Sequence, residues 1–287
     1  MKRVKPTLCL ITAFLISVRC TDVVQVKLDK GSELIVIDAF LESQYDAQAI
    51  FIHKNSTYFN SEEPEPITNA SATLYDLTED KSYKFQYVRD DRYEIEVKKE
   101  SFVANHQYKL EINIEGSIYT ALTTQPRAAS IDSISAKAFT KDQFTGEVKP
   151  LYYSCYLWAK DKADNNPDYY WIKSNRDSAF INLCIDGTAG IVRDAPTDSI
   201  YFSTPYSLLG YATYAPGNLC YVSVCAISKE TYDFLEQAQK QINNGGLFAT
   251  TPENIKTNFT TPTDAKRKAV GWFSVANACS ANKDIPK

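Results

Sequence analysis

The sequence predicts a mainly β protein: an N-terminal antiparallel sandwich of the immunoglobulin or transthyretin type, followed by a larger β-domain with one helix. Tyr and Phe, which favour half-buried strand positions, are abundant, with 19 Tyr and 14 Phe against 10 Gly. Short β-branched and aromatic runs recur at about ten-residue spacing in the N-terminal part. Turn-forming residues separate these runs, and a helical period appears only once, so strands dominate.

The first 20 residues predict an export signal. Lys2, Arg3 and Lys5 precede an apolar stretch at residues 7–18. A helix of that length rises roughly 18 Å, short of the roughly 30 Å hydrocarbon core, so a cleaved signal peptide fits better than a spanning anchor.

Cys20 follows the apolar stretch directly, and polar Thr21 and Asp22 come next. This arrangement resembles a bacterial lipoprotein signal, in which the Cys becomes the acylated first residue of the mature chain. Arg19 departs from that pattern, which has a small residue before the Cys. The alternative is an ordinary signal peptide with Cys20 as an incidental thiol.

The N-terminal β-sandwich is assigned to residues 21–127. Arg89 to Arg92 and Glu115 to Ser117 have the composition of hairpin turns, and Gly116 supplies the positive φ that a tight turn needs. Residues 124–127 form the expected boundary. The predicted strands are residues 33–41, 48–53, 70–76, 82–88, 93–97, 108–114 and 118–123.

The C-terminal β-rich domain is assigned to residues 128–287, with a helix near residues 229–243. Ser228 is the expected N-cap and Asn243 to Gly246 the stop, while Thr231, Leu235, Ala238 and Ile242 fall on one helical face. Residues from 280 onward are polar and are expected to fray. The predicted strands are residues 131–137, 152–160, 169–174, 180–185, 198–202, 219–227 and 270–276.

Residues and motifs typical of catalytic, metal-binding or nucleic-acid-binding sites are scarce. The net charge is −4 and no basic cluster lies beyond the N-terminus, which argues against nucleic-acid binding. The two histidines, His53 and His106, are too few for a His-based zinc site, and surface positions are the simpler interpretation. No Gly-x-Ser-x-Gly motif or phosphate-binding loop is present. We therefore expect no metal, no cofactor and no enzymatic activity.

Five cysteines follow the proposed signal, so an oxidising compartment would leave at least one thiol unpaired. We hypothesise a Cys184–Cys279 disulfide. Cys220 and Cys225 are five residues apart, so on one strand they would point to opposite faces and could not bond to each other. The alternative for these two is that they are small buried hydrophobic residues.

Tyrosines and tryptophans are the remaining signal. Clusters occur at residues 152–158 and 169–171, and the uncharged segment 203–217 carries Tyr206, Tyr211 and Tyr214. Amphipathic rings of this kind serve as platforms for glycans or protein partners. The competing interpretation is packing between sheets.

The ordered motifs resemble a family of Bacteroidetes envelope lipoproteins, domain-of-unknown-function family 4249. The resemblance spans nearly the whole mature chain and implies an accessory lipoprotein of a TonB-dependent receptor, with no catalytic residues to transfer. It rests on the strand at residues 33–41, Pro66 to Ala70, the Tyr93 hairpin, Tyr108 to Ile112 with Tyr119 to Ala121, Ile131 to Ile134, Asn243 to Gly246, Pro252 to Ile255 and Gly271 to Ser274.

The functional prediction is therefore an exported outer-membrane lipoprotein, anchored through Cys20, that serves as a non-catalytic accessory or binding subunit in nutrient uptake. It is expected to contact a TonB-dependent receptor, and the sequence leaves open whether it faces the periplasm or the cell surface. The first alternative is a structural or adhesive surface protein, weakened by the lack of a repeat array. The second is an envelope glycan hydrolase with an acid pair brought together from distant loops.

Overall fold

The computed structural model describes residues 32–56, 63–127, 130–141, 145–160, 168–177, 190–193, 206–207, 214–242, 244 and 255–287. These residues form fifteen strands and one α-helix, α1 (Lys229–Ile242). The strands are β1 (Leu34–Glu42), β2 (Ala47–Lys54), β3 (Ser71–Asp76), β4 (Lys81–Lys84), β5 (Gln86–Arg89), β6 (Arg92–Glu96), β7 (Gln107–Ile114), β8 (Ser117–Thr124), β9 (Ser130–Lys141), β10 (Val148–Lys160), β11 (Tyr169–Arg176), β12 (Gly190–Arg193), β13 (Tyr206–Ser207), β14 (Leu219–Ile227) and β15 (Lys268–Asp284).

One long sheet runs through the molecule, in the order β12-β11-β14-β15-β1-β2-β6-β5. The 17-residue strand β15 joins its two halves. Its first part pairs with β1 in the parallel direction, and its second part pairs with β14 in the antiparallel direction. The other strand pairs are antiparallel, so the mainly β, sandwich-like fold class predicted from the sequence is confirmed.

Two smaller sheets cover the same face of the long sheet. Along β15, Phe273 and Val275 pack into a first core, and Cys279 and Ala281 border a second core. These four positions have the same parity, so both cores lie on one face. Sheet β4-β3-β7-β8 closes the first core, and sheet β13-β10-β9 closes the second.

Helix α1 packs on the opposite face of the long sheet. Its side chains Phe234 and Leu235 enter a third core with Trp272 of β15. The Ser228 hydroxyl accepts a hydrogen bond from the Thr231 amide at 3.2 Å, which confirms the predicted N-cap. The predicted apolar face is wrong at its end, because Ile242 is 61% exposed.

Two strand predictions fail for identifiable reasons. Residues 82–88 are not one strand: β4 pairs with β3 and β5 pairs with β6, and the buried Phe85 lies where the chain passes between the sheets. Residues 280–284 do not fray, because they pair with β14. Their polar side chains alternate with inward-facing Ala281, a pattern typical of a half-solvated strand.

The domain boundary predicted at residues 124–127 falls inside one body. Glu33–Lys287 form one compact unit. The long sheet belongs to both cores, and Phe259, Ala269 and Phe273 from the C-terminal part of the chain are buried in the first core. The predicted strands at residues 180–185 and 198–202 lie outside the described residues.

Candidate functional site

The outer side of β9 and β10 carries a row of rings. Within β10, the side chains that enter the second core are Tyr153, Cys155, Leu157 and Ala159. Because side chains alternate along a strand, the residues between them point away from that core. Strand β9 adds Phe139, which is opposite Tyr152 in the register. We call the surface formed by Phe139, Tyr152, Tyr156 and Trp158 the aromatic face.

Neighbouring contacts hold three of these rings in place. The rings of Phe139 and Tyr152 stack with centroids 5.6 Å apart, and the Lys137 ammonium lies 5.2 Å from the Phe139 centroid. The Trp158 indole donates a hydrogen bond of 3.0 Å to the Ser135 hydroxyl. Trp158 nevertheless remains 38% exposed. The aromatic face is thus a pre-ordered, partly exposed surface with a cation beside it, which suits a partner or ligand with apolar and polar groups.

The predicted platform in residues 203–217 is corrected at one position. Tyr214 is fully buried in the second core and forms an isolated bridge with Tyr153, so its ring packs between sheets and presents no exposed surface. Tyr206 belongs to β13 and pairs with Leu157, but its side chain is outside the described residues, as is all of Tyr211. The partly exposed rings belong instead to the aromatic cluster at residues 152–158.

A buried ion pair lies on the helix-covered face of the long sheet, and the sequence analysis missed it. Lys173 of β11 contacts the carboxylate of Glu42 at the end of β1, and their side chains are only 6% and 4% exposed. The Lys173 ammonium also lies 4.8 Å from the centroid of the Trp171 ring. A lone Lys directly after the apolar run Tyr169 to Ile172 was the available sequence signal.

Polar neighbours complete this buried cluster. The Gln44 amide donates hydrogen bonds to Glu42 at 2.6 Å and to Ser223 at 2.9 Å, and Ser223 Oγ lies 3.5 Å from Cys225 Sγ. Burial favours the neutral amine of Lys173, but the charge attraction and hydrogen bond of the Glu42 carboxylate outweigh this effect and raise the pKa of Lys173. The cluster therefore fastens the end of β1 to β11 and β14.

Cys225 is not placed for nucleophilic chemistry. Its side chain is fully buried, and burial together with the Glu42 carboxylate raises the pKa of the thiol to about 12. The thiolate that attack requires is therefore scarce at neutral pH. As predicted, Cys220 and Cys225 face opposite sides of β14: Cys220 lies in the second core and Cys225 in the third.

Both histidines form half-buried contacts with carboxylates, which corrects the surface interpretation. His53 Nδ1 lies 3.0 Å from Asp91, and His106 Nδ1 lies 2.8 Å from Asp76. Asp76 also accepts hydrogen bonds from two backbone amides of the turn that follows β3. These contacts fasten turns of the first sandwich.

The described residues contain no group of three or more His, Cys, Asp or Glu side chains arranged to hold a metal ion. Within the same residues, no helix has the length and apolar character needed to span a membrane. Cys20 and Cys184 lie outside the described ranges, so lipidation and the Cys184–Cys279 disulfide stay predictions.

A small cavity of about 240 Å³ lies at the end of the first sandwich, between the β7–β8 hairpin and the loop before β15. Two of its charged lining residues pair with each other: the Arg267 guanidinium lies 3.5 Å from Glu115, and it also lies 3.0 Å from Glu33. These contacts give Arg267 a structural role at this end of the sandwich.

The comparisons with known proteins agree with the resemblance found in the sequence. No curated protein gives a significant match to the chain. A family model does match, from residue 21, directly after Cys20, to residue 281. The matched range contains all the strands described here, apart from the last residues of β15. The chain therefore belongs to the family described as domain of unknown function DUF4249.

Proposed function

We propose that this protein is an exported, lipid-anchored accessory or binding subunit of a Bacteroidetes outer membrane, which works with a TonB-dependent receptor in nutrient uptake and is not an enzyme. The aromatic face is the observation that carries the binding role. Its rings are ordered by their own contacts and remain partly exposed. Aromatic side chains of this kind contribute much of the energy of protein interfaces.

The export and anchoring parts of the proposal rest on the N-terminal sequence. The basic residues and the short apolar stretch have the form of a signal peptide, and Cys20 follows directly. The family match starts at the next residue, as expected if residues 1–19 are removed from the mature chain. Several acyl chains on one Cys would give a stable anchor, because each buried methylene adds roughly 0.8 kcal/mol.

The binding role is tested by co-purification from membranes solubilised in mild detergent. The wild-type chain with a C-terminal tag is expected to retain a TonB-dependent receptor. The double variant Tyr152→Ala/Trp158→Ala should reduce receptor recovery at least about 10-fold, because hot-spot rings contribute about 2 kcal/mol or more each.

Leu122→Ala is the matched control for this experiment. Leu122 is an apolar residue of β8 that is 53% exposed, and it lies outside the aromatic face. Its loss should leave receptor recovery unchanged. A wild-type protein that elutes alone would contradict the proposal, and so would equal recovery with the double variant.

Anchoring has a separate test. Labelled palmitate should enter the wild-type protein, and Cys20→Ala should abolish the label. Lipidation at Cys20 would be refuted if the Cys20→Ala variant kept the label or if the wild type carried none. Neither result would bear on the binding role.

A further inference from the structure

Two thiols from different sheets meet inside the second core. Cys155 belongs to β10 in the smaller sheet, and Cys220 belongs to β14 in the long sheet. Both residues are 0% exposed and belong to the same core cluster. Their thiols interact directly, side chain to side chain. The fold thus brings together two cysteines that are separated by roughly 65 residues of chain.

The positions of the other cysteines make this pairing selective. Cys225 follows on the same strand but faces the third core. Cys279 is aligned with Val224 in the β14–β15 register, and its sulfur points toward the Val224 carbonyl oxygen at 3.9 Å. Among the described residues, Cys155 and Cys220 are therefore the two thiols that face each other across a layer.

Hydrogen bonds inside the folded core connect the pair to a neighbouring tyrosine. The hydrogen bond from Cys155 lowers the pKa of Cys220, with the neighbouring Tyr214 hydroxyl acting in the same direction. These contacts tie the Cys220 sulfur to both Cys155 and Tyr214 in the folded core.

We infer that Cys155 and Cys220 form a disulfide that joins the two sheets of the second sandwich. The inference rests on the proposed export, because such bonds persist in oxidising compartments. The thiolate of one of the two cysteines attacks the disulfide of an oxidised thiol–disulfide oxidoreductase, which forms a mixed disulfide and releases one thiolate of the donor. The thiolate of the other cysteine then attacks the mixed disulfide and displaces the second donor sulfur. The two cysteines lose two protons and two electrons, and the donor disulfide is reduced to a dithiol.

The exchange precedes closure of the core, because neither thiol is exposed in the folded protein. The bond restricts the unfolded chain across the segment that contains β11, β12 and β13. It also leaves Cys225 as a buried thiol, consistent with the odd number of cysteines after Cys20.

The test compares two samples of the full chain by alkylation and non-reducing peptide mapping. One sample is isolated from the cell envelope with free thiols blocked at lysis. The other is unfolded in urea with reductant and refolded in a mixture of reduced and oxidised glutathione. Both samples are expected to contain a peptide pair linked through Cys155 and Cys220. Cys155→Ala should abolish this linked pair, and the control Cys225→Ala should retain it.

Thermal unfolding provides the second readout. Reductant should lower the Tm of the wild type by several degrees more than it lowers the Tm of Cys155→Ala/Cys220→Ala. Alkylation of both thiols in the refolded sample overturns the inference, as does a bond from either one to a different cysteine. If the bond forms in the refolded sample but both thiols are alkylated in the envelope sample, the proposed export is contradicted and the pairing of the two cysteines is supported.

Discussion

Gly271 is the residue at which a single methyl group should break the long sheet. It lies in β15 opposite Ile37 of β1, in the middle of the nine-residue parallel ladder, and its φ is +106°. A Cβ built on Gly271 would lie 2.0 Å from the Ile37 carbonyl oxygen and 2.8 Å from the carbonyl carbon. Both are backbone atoms of a fully buried residue, so no flexible side chain can move aside.

The cost of Gly271→Ala follows from two effects. A non-glycine residue held at this φ costs about 1–3 kcal/mol in backbone strain. Relieving the clash needs a shift of more than about 1 Å between β1 and β15, and each buried backbone group that loses its hydrogen bond costs about 1–3 kcal/mol. The expected loss is at least about 4 kcal/mol, much of the roughly 5–15 kcal/mol that stabilises a typical domain.

Gly116→Ala is the matched control. Gly116 also has a positive φ, +89°, but nothing lies within 4 Å of the position that a Cβ on this residue would take. It should therefore show backbone strain alone, about 1–3 kcal/mol. Urea unfolding followed by tryptophan fluorescence gives both values, and the soluble yield serves as the readout if Gly271→Ala does not fold. Equal stability of the two variants would refute the argument that close approach to β1 requires glycine at position 271.

Three further substitutions test the buried polar groups, each by urea unfolding. Lys173→Met leaves the Glu42 carboxylate without its cation and should lower the free energy of unfolding by about 3–5 kcal/mol, whereas Lys240→Met in an exposed pair should change it by less than about 0.5 kcal/mol. Tyr93→Phe removes a hydroxyl that bridges two backbone groups at 2.8 and 2.9 Å and should cost about 1–3 kcal/mol. Burial raises the pKa of Asp38, so the folded state holds this proton more tightly than the unfolded state does, and ionisation costs stability as the pH rises above about 4. Asp38→Asn should therefore increase the free energy of unfolding more at pH 7 than at pH 4. An equal effect of Asp38→Asn at both pH values would contradict the raised pKa of Asp38 as the cause.

Local patterns predicted most of the described elements. The alternation in residues 33–41 and 108–114 predicted β1 and β7, and the turn residues around Gly116 predicted the hairpin between β7 and β8. These predictions succeeded because a strand with one buried face repeats every two residues whatever it packs against. The Ser228 cap succeeded because its hydrogen bond is local to the first helical turn.

Contacts between distant parts of the chain were not predictable from these patterns. The β1–β15 pairing joins segments more than 200 residues apart, and neither segment's alternation identifies its partner strand. The aromatic clusters had two interpretations, and only the layer arrangement shows that Trp158 is partly exposed and Tyr214 buried. In the same way, Cys220 and Cys225 were correctly predicted to face opposite sides of one strand. That alternation could not identify Cys155 as the thiol opposite Cys220.

The shared sheet has a consequence for any fragment that ends at the predicted boundary. Residues 21–127 contain the strands of the first sandwich except β15, so β1 would lose its parallel partner and the first core would lose Phe273 and Val275. Burying those two side chains contributes about 1.5–3 kcal/mol each, and the freed edge of β1 adds unpaired backbone groups. The fragment alone should show no cooperative unfolding by circular dichroism. Joining residues 255–276 to it through a flexible linker should restore the transition, because that segment supplies the missing half of β15. Cooperative unfolding of residues 21–127 alone would show that the first sandwich folds without the C-terminal strand.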